Sequence, residues 1–106
     1  MWSNKGLNFL KNVNTINISG CRKITDEGLS LPEGVDNINL SCCNKITDKW
    51  LSFLSNVHII NLNFCYKITN KGLKFLKNVN TINIYGCEQS TNEELKFLQN
   101  IHTIYN

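Results

Sequence analysis

The sequence predicts an α/β solenoid, in which short units of one strand and one helix stack along the chain. Three observations predict it: a period of 22 residues, an alternating apolar pattern typical of a strand, and helical spacing of the apolar residues that follow. Columns of equivalent apolar residues carry the period. These columns are Cys21, Cys43, Cys65 and Cys87; Val13, Val35, Val57, Val79 and Ile101; Ile16, Ile38, Ile60, Ile82 and Ile104; Ile24, Ile46 and Ile68; and Leu7, Leu29, Leu51, Leu73 and Leu95.

The composition is that of a chain that folds around a core. Hydrophobic residues make up 42% and charged residues 18% of the 106 residues, which favours a single domain over residues 1–106. The net charge of +3 is too small to favour a nucleic-acid or membrane surface. No apolar run approaches the roughly 18 residues that span a bilayer, and no signal peptide is evident. We therefore expect a cytoplasmic protein, with the nucleus as the alternative.

Each unit is predicted to contribute one strand. The segment Ile16-Asn17-Ile18 alternates apolar and polar residues, and its copies do the same. Because side chains alternate between the two faces of a strand, Ile16 points to the core and Asn17 to the other face. The units should stack into a parallel sheet on the concave face of a short right-handed arc, with strands about 4.8 Å apart and short helices on the convex face.

The predicted helices have recurring residues at both ends. A threonine recurs where an N-cap would satisfy free backbone N–H groups, and Gly34 or an Asn recurs where a left-handed C-cap would end a helix of about two turns. A phenylalanine recurs within the helix and is predicted to lie in the core. Trp50 replaces Gly28 and Gly72 and either packs among the helices or forms an exposed contact. The threonines are Thr25, Thr47, Thr69 and Thr91; the asparagines are Asn12, Asn56, Asn78 and Asn100; the phenylalanines are Phe9, Phe53, Phe75 and Phe97.

The segment that follows the first predicted strand carries a motif that resembles a known family. The segment is Ile18-Ser19-Gly20-Cys21-Arg22-Lys23-Ile24-Thr25-Asp26-Glu27-Gly28-Leu29. It is similar to the pattern L-x-L-x-x-C-x-x-I-T-D-x-x-L of the cysteine-containing leucine-rich repeats, which are familiar from the substrate-binding part of F-box proteins in cullin-based ubiquitin ligases. The resemblance implies a leucine-rich repeat solenoid over nearly the whole chain. Two departures are a unit of 22 residues instead of about 26 and no F-box segment within these 106 residues.

The resemblance implies a protein-interaction module without enzymatic activity, cofactor or metal. The alternatives are a substrate-recognition fragment of an F-box type ubiquitin ligase adaptor and a structural fragment of a longer array. About four and a half repeats are present, and neither end shows a recognisable polar capping unit. We therefore also expect continuation in a longer array or end-to-end association with a second copy.

The partner, expected to be another protein, is predicted to bind on the concave face. An asparagine column occupies the strand centres, and its amides are expected to hydrogen-bond from one strand to the next. The positions on either side of this column vary from unit to unit although the repeat is otherwise strict. This variation favours them as the residues that recognise a partner. Phe64 replaces Gly20 and Gly86 and either anchors the partner or covers the loop edge. The predicted binding residues are Thr15, Asn17, Ser19, Asn37, Asn39, Ser41, Ile59, Asn61, Asn63, Phe64, Tyr66, Thr81, Asn83, Tyr85 and Tyr105.

The cysteines and histidines raise a catalytic hypothesis that their spacing disfavours. Four cysteines fall in the buried column, where their thiols would donate to loop carbonyls, and CxxC spacing is absent. Cys42, outside the column, is either a reactive thiol or a loop filler. With His58 or His102 as base it would form a Cys-His pair. Stacking places His58 level with residue 36, roughly 20 Å from Cys42 along an extended path.

A column of basic residues is predicted in the loops after the strands. It consists of Arg22, Lys23, Lys45 and Lys67. Such an edge would attract an acidic partner surface or phosphates, or serve as a solvated rim. Apart from Tyr66, no interleaved aromatic residue supports base stacking, so nucleic acid is the less favoured partner.

Overall fold

The computed structural model describes residues 13–25 and 34–87, and the backbone of residues 103–105. Parallel strands in chain order form one sheet, and each pairs with the next at an offset of 22 residues, as Ile16 with Ile38. The predicted repeat and its register are confirmed. The strands are β1 (Thr15–Asn17), β2 (Asn37–Asn39), β3 (Ile59–Asn61), β4 (Thr81–Asn83) and β5 (Thr103–Tyr105).

Several predicted features lie outside the described residues, and the structure says nothing of them. They are the caps at Asn12, Thr91 and Asn100, the core residues Phe9 and Phe97, the base His102, the side chain of Tyr105, and both chain ends. In the described part of the chain, no helix has the length and apolar character needed to cross a membrane.

The core lies on one side of the sheet. The central isoleucine of each of β1 to β4 is buried, as is the apolar residue two positions later. No polar or charged residue among those described is buried, and the described interior is apolar apart from the thiols and two buried side-chain atoms that lack a hydrogen-bond partner, Asn44 Oδ1 and Trp50 Nε1. Each buried apolar side chain contributes about 1.5–3 kcal/mol to folding relative to an exposed position. The buried strand residues are Ile16, Ile18, Ile38, Leu40, Ile60, Leu62, Ile82 and Ile84.

Helices α1 (Asp48–Leu51) and α2 (Asn70–Leu73) each form a single turn. The side chains of Thr47 and Thr69 accept hydrogen bonds from backbone N–H groups at the helix starts, which confirms these two N-caps. The predicted length of two turns is wrong. Beyond Leu51 the chain continues through tighter turns, in which the backbone N–H groups of Ser52, Phe53 and Leu54 each bond to the carbonyl three residues earlier.

The predicted helix ends are only partly correct. Gly34 has a left-handed φ of +89°, but neither Asn56 nor Asn78 has a positive φ. The helices instead end at Ser52 and Lys74, which keep right-handed backbone angles. The tighter turns bring the chain back toward the sheet, so no left-handed cap is needed there.

The prediction that Phe53 and Phe75 belong to the core is also wrong. These side chains are 49% and 42% exposed, because Leu51 and Leu54 in one unit, and their equivalents in the next, fill the inner side of the helical segment. A residue two positions after Leu51 therefore faces outward. Trp50, by contrast, is completely buried, which decides between its two predicted roles in favour of helix packing.

The cysteine column forms a ladder of thiols between units. All four thiols of the column are buried, as predicted, and three of them donate to the carbonyl of the residue that follows a strand in the preceding unit. Burial raises the pKa of Cys43 from its ordinary value of 9.0 to about 11, and it raises the pKa of Cys65 and of Cys87 as well. The pairs are Cys43 Sγ with Ile18 O (3.2 Å), Cys65 Sγ with Leu40 O (3.0 Å) and Cys87 Sγ with Leu62 O (2.9 Å).

A carboxylate links the two helices. The backbone N–H of Thr69 donates to Asp48 Oδ1 at 2.7 Å, and the Thr69 hydroxyl donates to the other carboxylate oxygen. A Cβ at Gly72 would overlap the Asp48 carboxylate, so glycine is required for this close approach. Asp48 therefore holds the start of α2 against α1.

Replacing Asp48 with alanine should lower the free energy of unfolding by about 1–3 kcal/mol, because the buried N–H of Thr69 loses a charged acceptor. Urea denaturation followed by circular dichroism measures this. Asp36→Ala is the matched control, since Asp36 is exposed and its side chain bonds to no described residue. Its loss should stay below about 0.5 kcal/mol. Equal losses in both variants would contradict the linking role of Asp48.

Thiol reactivity tests the cysteine ladder. At about pH 8, Ellman's reagent should react rapidly with one thiol per molecule, Cys42, which is exposed, and with all five after unfolding. Cys42→Ser should abolish the rapid reaction. The stability that the neutral buried thiols contribute is fully present below the ordinary pKa of 9.0 and is lost as the pH rises toward the folded-state pKa of Cys43, about 11. A second rapidly reacting thiol in the native protein would contradict the ladder.

Candidate functional site

The sheet face opposite the core is open and carries most of the predicted binding residues. We call it the exposed sheet face. Ile59 is 41% exposed and is the one large apolar side chain among the described strand residues of this face. Tyr105 is in register with Asn83, in the asparagine column. The described side chains are Thr15 and Asn17 in β1, Asn37 and Asn39 in β2, Ile59 and Asn61 in β3, and Thr81 and Asn83 in β4.

The asparagine column does not form the predicted ladder between strands. Asn17, Asn39 and Asn61 instead accept, through Oδ1, the backbone N–H two residues later, at 3.1, 3.0 and 2.9 Å. This local bond is within reach of a short side chain without any adjustment of neighbouring strands, so it displaces the amide-to-amide bond. The amide NH2 groups bond to no described residue and remain available as donors on the exposed sheet face.

The fourth unit departs from this pattern. The backbone N–H of Tyr85 donates at 2.8 Å to Oδ1 of Asn63, in the preceding unit, and not to Asn83. The structure thus ties the position of Tyr85 to the third repeat. Asn63 replaces the Ser19 and Ser41 of the earlier units, and a serine hydroxyl is one atom shorter than this amide.

A left-handed turn follows every described strand from β1 to β4. The turn residue has a φ between 61° and 79° in all four units, and in the first three its N–H donates to a carbonyl of the next unit at 2.7–2.8 Å. The left-handed conformation costs a non-glycine residue about 1–2 kcal/mol. Glycine at two of these positions is a sequence signal for a left-handed turn. The sequence analysis did not predict this turn. The turn residues are Gly20, Cys42, Phe64 and Gly86.

Three aromatic side chains lie together at this turn. We call Phe64, Tyr66 and Tyr85 the aromatic cluster. The Phe64 ring meets the Tyr85 ring edge to face at 5.5 Å between centroids, and it lies 6.4 Å from the Tyr66 ring. Tyr66 is 51% and Tyr85 59% exposed. Phe64 therefore supports two exposed tyrosines.

The Phe64 ring also covers the neighbouring turn. A Cβ at Gly86 would lie 2.5 Å from Cδ1 of the Phe64 ring. The two alternatives for Phe64, an anchor for a partner and a cover for the loop edge, are thus compatible geometrically. The cover is observed, and the anchor remains a prediction.

Next to the aromatic cluster lies an edge of uniform positive charge. Arg22, Lys23, Lys45 and Lys67 are exposed and form no ion pair with the described residues. We call these four residues the basic rim. Lys67 directly follows Tyr66 in the chain, so the basic rim and the aromatic cluster adjoin.

Comparisons with known proteins agree with this architecture. The family model described as Leucine Rich repeat matches residues 9–31. A chain of the crystal structure of a Rad7 and Elc1 complex in yeast is similar with a TM-score of 0.59 over 89% of this chain. The fold is that of a leucine-rich repeat protein. The sequence identity to that yeast chain is 12%, and this chain spans 33% of its length. None of the curated proteins matches the sequence.

In this leucine-rich repeat fold, Cys42 and His58 lie at opposite ends of the strands. The His58 N–H donates to the Asp36 carbonyl ahead of the strands, whereas the Cys42 N–H donates to the Asn63 carbonyl beyond them. A pair between Cys42 and His58 is therefore not formed. Within residues 13–25 and 34–87, no group of three or more His, Cys, Asp or Glu side chains is arranged to hold a metal ion.

The contact between Phe64 and Gly86 is open to a double-mutant test. Gly20→Ala, at a left-handed position with no atom within 4 Å of the new Cβ, should cost about 1 kcal/mol of stability through backbone strain alone. Gly86→Ala should cost about 1–2 kcal/mol more, because its Cβ displaces the Phe64 ring. Urea denaturation of both single variants measures the difference.

The same comparison in the Phe64→Gly variant completes the double-mutant test of Phe64 and Gly86. There, Gly86→Ala should cost no more than Gly20→Ala does, since the ring is gone. The same cost for Gly86→Ala with and without Phe64 would show that the ring does not cover this turn.

Proposed function

We propose that this chain is a protein-interaction module that binds a partner protein on its exposed sheet face, with the aromatic cluster at the centre, and catalyses no reaction. The observation that carries the proposal is a pair of tyrosines, 51% and 59% exposed, supported by a phenylalanine held in a left-handed turn. The leucine-rich repeat fold supports the general role, because such solenoids present extended binding surfaces.

The conformation of the turn does not explain why a phenylalanine occupies position 64. Glycine serves the same turn in two other units at no steric cost, whereas a phenylalanine there costs about 1–2 kcal/mol. Strain of this kind at a surface position favours a role for the side chain that imposes it. In the structure that side chain positions Tyr66 and Tyr85.

The aromatic cluster has the properties of an interface centre. Tyrosines contribute large contact areas, and a few such residues often carry most of the binding energy. On the same sheet face, Ile59 at the start of β3 adds apolar surface, and the amide NH2 groups of Asn61 and Asn83 offer hydrogen-bond donors that no described residue uses. A partner that covers the cluster would satisfy these donors at the rim of the contact.

The predicted binding residues of the first two units lie farther from this centre. They are small or polar, and we assign them to the periphery of the interface. They are Thr15, Asn17, Ser19, Asn37, Asn39 and Ser41.

A narrower proposal is that the module recognises substrates for an F-box type ubiquitin ligase. The repeat motif and the likeness to a chain of the yeast Rad7 and Elc1 complex favour it over other assemblies. On this proposal a ligase subunit would be captured together with the partner. The alternative, a structural fragment of a longer array, predicts no partner on the exposed sheet face. We place the protein in the cytoplasm or nucleus.

Variants of the exposed sheet face test the proposed function. The purified chain, immobilised, should retain a partner protein from an extract of its source cells, and Tyr85→Ser or Ile59→Ser should reduce capture at least about tenfold. Phe53→Ser is the matched control, since Phe53 is equally exposed but lies after α1, away from the sheet. It should leave capture unchanged.

Circular dichroism of all three variants should match that of the unmodified chain, because each substituted side chain is exposed. Undiminished capture by both Tyr85→Ser and Ile59→Ser would contradict binding through the exposed sheet face.

A further inference from the structure

We infer that the partner presents an acidic, extended protein segment with an apolar side chain, whose carboxylates contact the basic rim and whose apolar side chain packs on the aromatic cluster. This inference rests on the proposed function and adds the chemistry of the occupant. It depends on charge complementarity at one edge of the solenoid.

In the first three units the charge of this edge is of one sign, whereas the sequence has Glu88 at the repeat position of Arg22 in the fourth unit. Between each of the first three strands and the threonine that follows its cysteine, every charged residue is basic. These residues are exposed and have no ion-pair partner in the described part of the chain. The described acidic residues lie elsewhere: Asp36 precedes β2, and Asp48 is bonded to Thr69. The rim therefore has uncompensated positive charge that an acidic segment would neutralise.

The repeat geometry places this charge beside the aromatic cluster. Lys67 follows Tyr66, and Lys45 occupies the equivalent position one unit earlier, about 4.8 Å away in the direction of strand stacking. Alternate side chains of an extended peptide are about 6.6 Å apart. A segment that runs along the stack can thus bring carboxylates to both lysines and an apolar residue to the tyrosines.

A protein segment suits this site better than a nucleic acid. Beside the exposed sheet face, the positive charge lies along one edge, with one lysine of the column in each of the first three units, and the centre of the face carries none. The other described lysines lie in or just after the helices. Proteins that track a nucleic-acid backbone use a positively charged groove lined with stacking platforms. Here the edge-to-face contact of Phe64 with Tyr85 occupies a ring face of the cluster, and Ile59, at the opposite end of β3, is aliphatic.

A random-peptide library displayed on phage, selected against the whole chain, tests the inference. The selected peptides should be enriched in Asp and Glu and contain at least one apolar residue. By fluorescence anisotropy, Lys45→Gln with Lys67→Gln should weaken their binding about tenfold. Lys49→Gln with Lys71→Gln, the same change of charge at exposed positions on the helices, should alter it less than about twofold. Single-stranded oligo(dT) should bind more weakly than the peptides.

The outcomes separate this inference from the proposed function. Peptides that lack acidic residues but lose binding with Tyr85→Ser would overturn the inference and leave the exposed sheet face as a binding site. Acidic peptides that bind equally well to Tyr85→Ser or to the Lys45 and Lys67 double variant would overturn the inference. Tighter binding of oligo(dT), or no enrichment of any peptide, would overturn it as well.

Discussion

Everything in this structure depends on a ladder of backbone hydrogen bonds that joins each repeat to the next at an offset of 22 residues. The ladder does not stop at the three-residue strands. It continues through the N–H groups of Ile18 and Gly20 and their equivalents in the next two units, into the left-handed turns. Strands this short bury little surface alone, so the continuation fixes the orientation of the loops as firmly as that of the sheet. The thiol ladder and the Asp48 carboxylate then join the same units on the core side and on the helical side.

The proposed binding surface follows from this regularity. Because every unit places its turn residue at the same point, one substitution at that point presents a side chain in a fixed position. A glycine at that point has no side chain. Phe64 instead places its ring against the next turn and in contact with Tyr66 and Tyr85. The solenoid thus separates stability from recognition: the apolar columns form the core, and the asparagine column together with the varying positions around it forms the proposed site. The aromatic cluster and the basic rim both belong to loops that the ladder holds rigid.

The sequence was sufficient to predict features that the period determines. Register, core columns, the N-caps at Thr47 and Thr69 and the buried thiols all follow from which residues repeat. Features that depend on a choice between alternative local hydrogen bonds or packing contacts could not be predicted from the period. Asn39 accepts a hydrogen bond from the N–H two residues later and does not bond to the next strand. The helices end after one turn, and the chain continues in tighter turns. Phe53 faces outward because leucines already fill the interior, and the tilt of the Tyr85 and Phe64 rings depends on a turn conformation that neither residue type favours.

Amide hydrogen exchange measured by nuclear magnetic resonance tests the central claim most directly. The amides of Gly20, Cys42 and Phe64 lie outside the strands, yet each donates to a carbonyl of the next unit at 2.7–2.8 Å. The account predicts that these three amides exchange as slowly as those of Ile38 and Ile60 in the strand centres, and that they lose protection together with them as the protein unfolds. Exchange at Phe64 as fast as in an unstructured loop would contradict it, since the aromatic cluster would then have no rigid support.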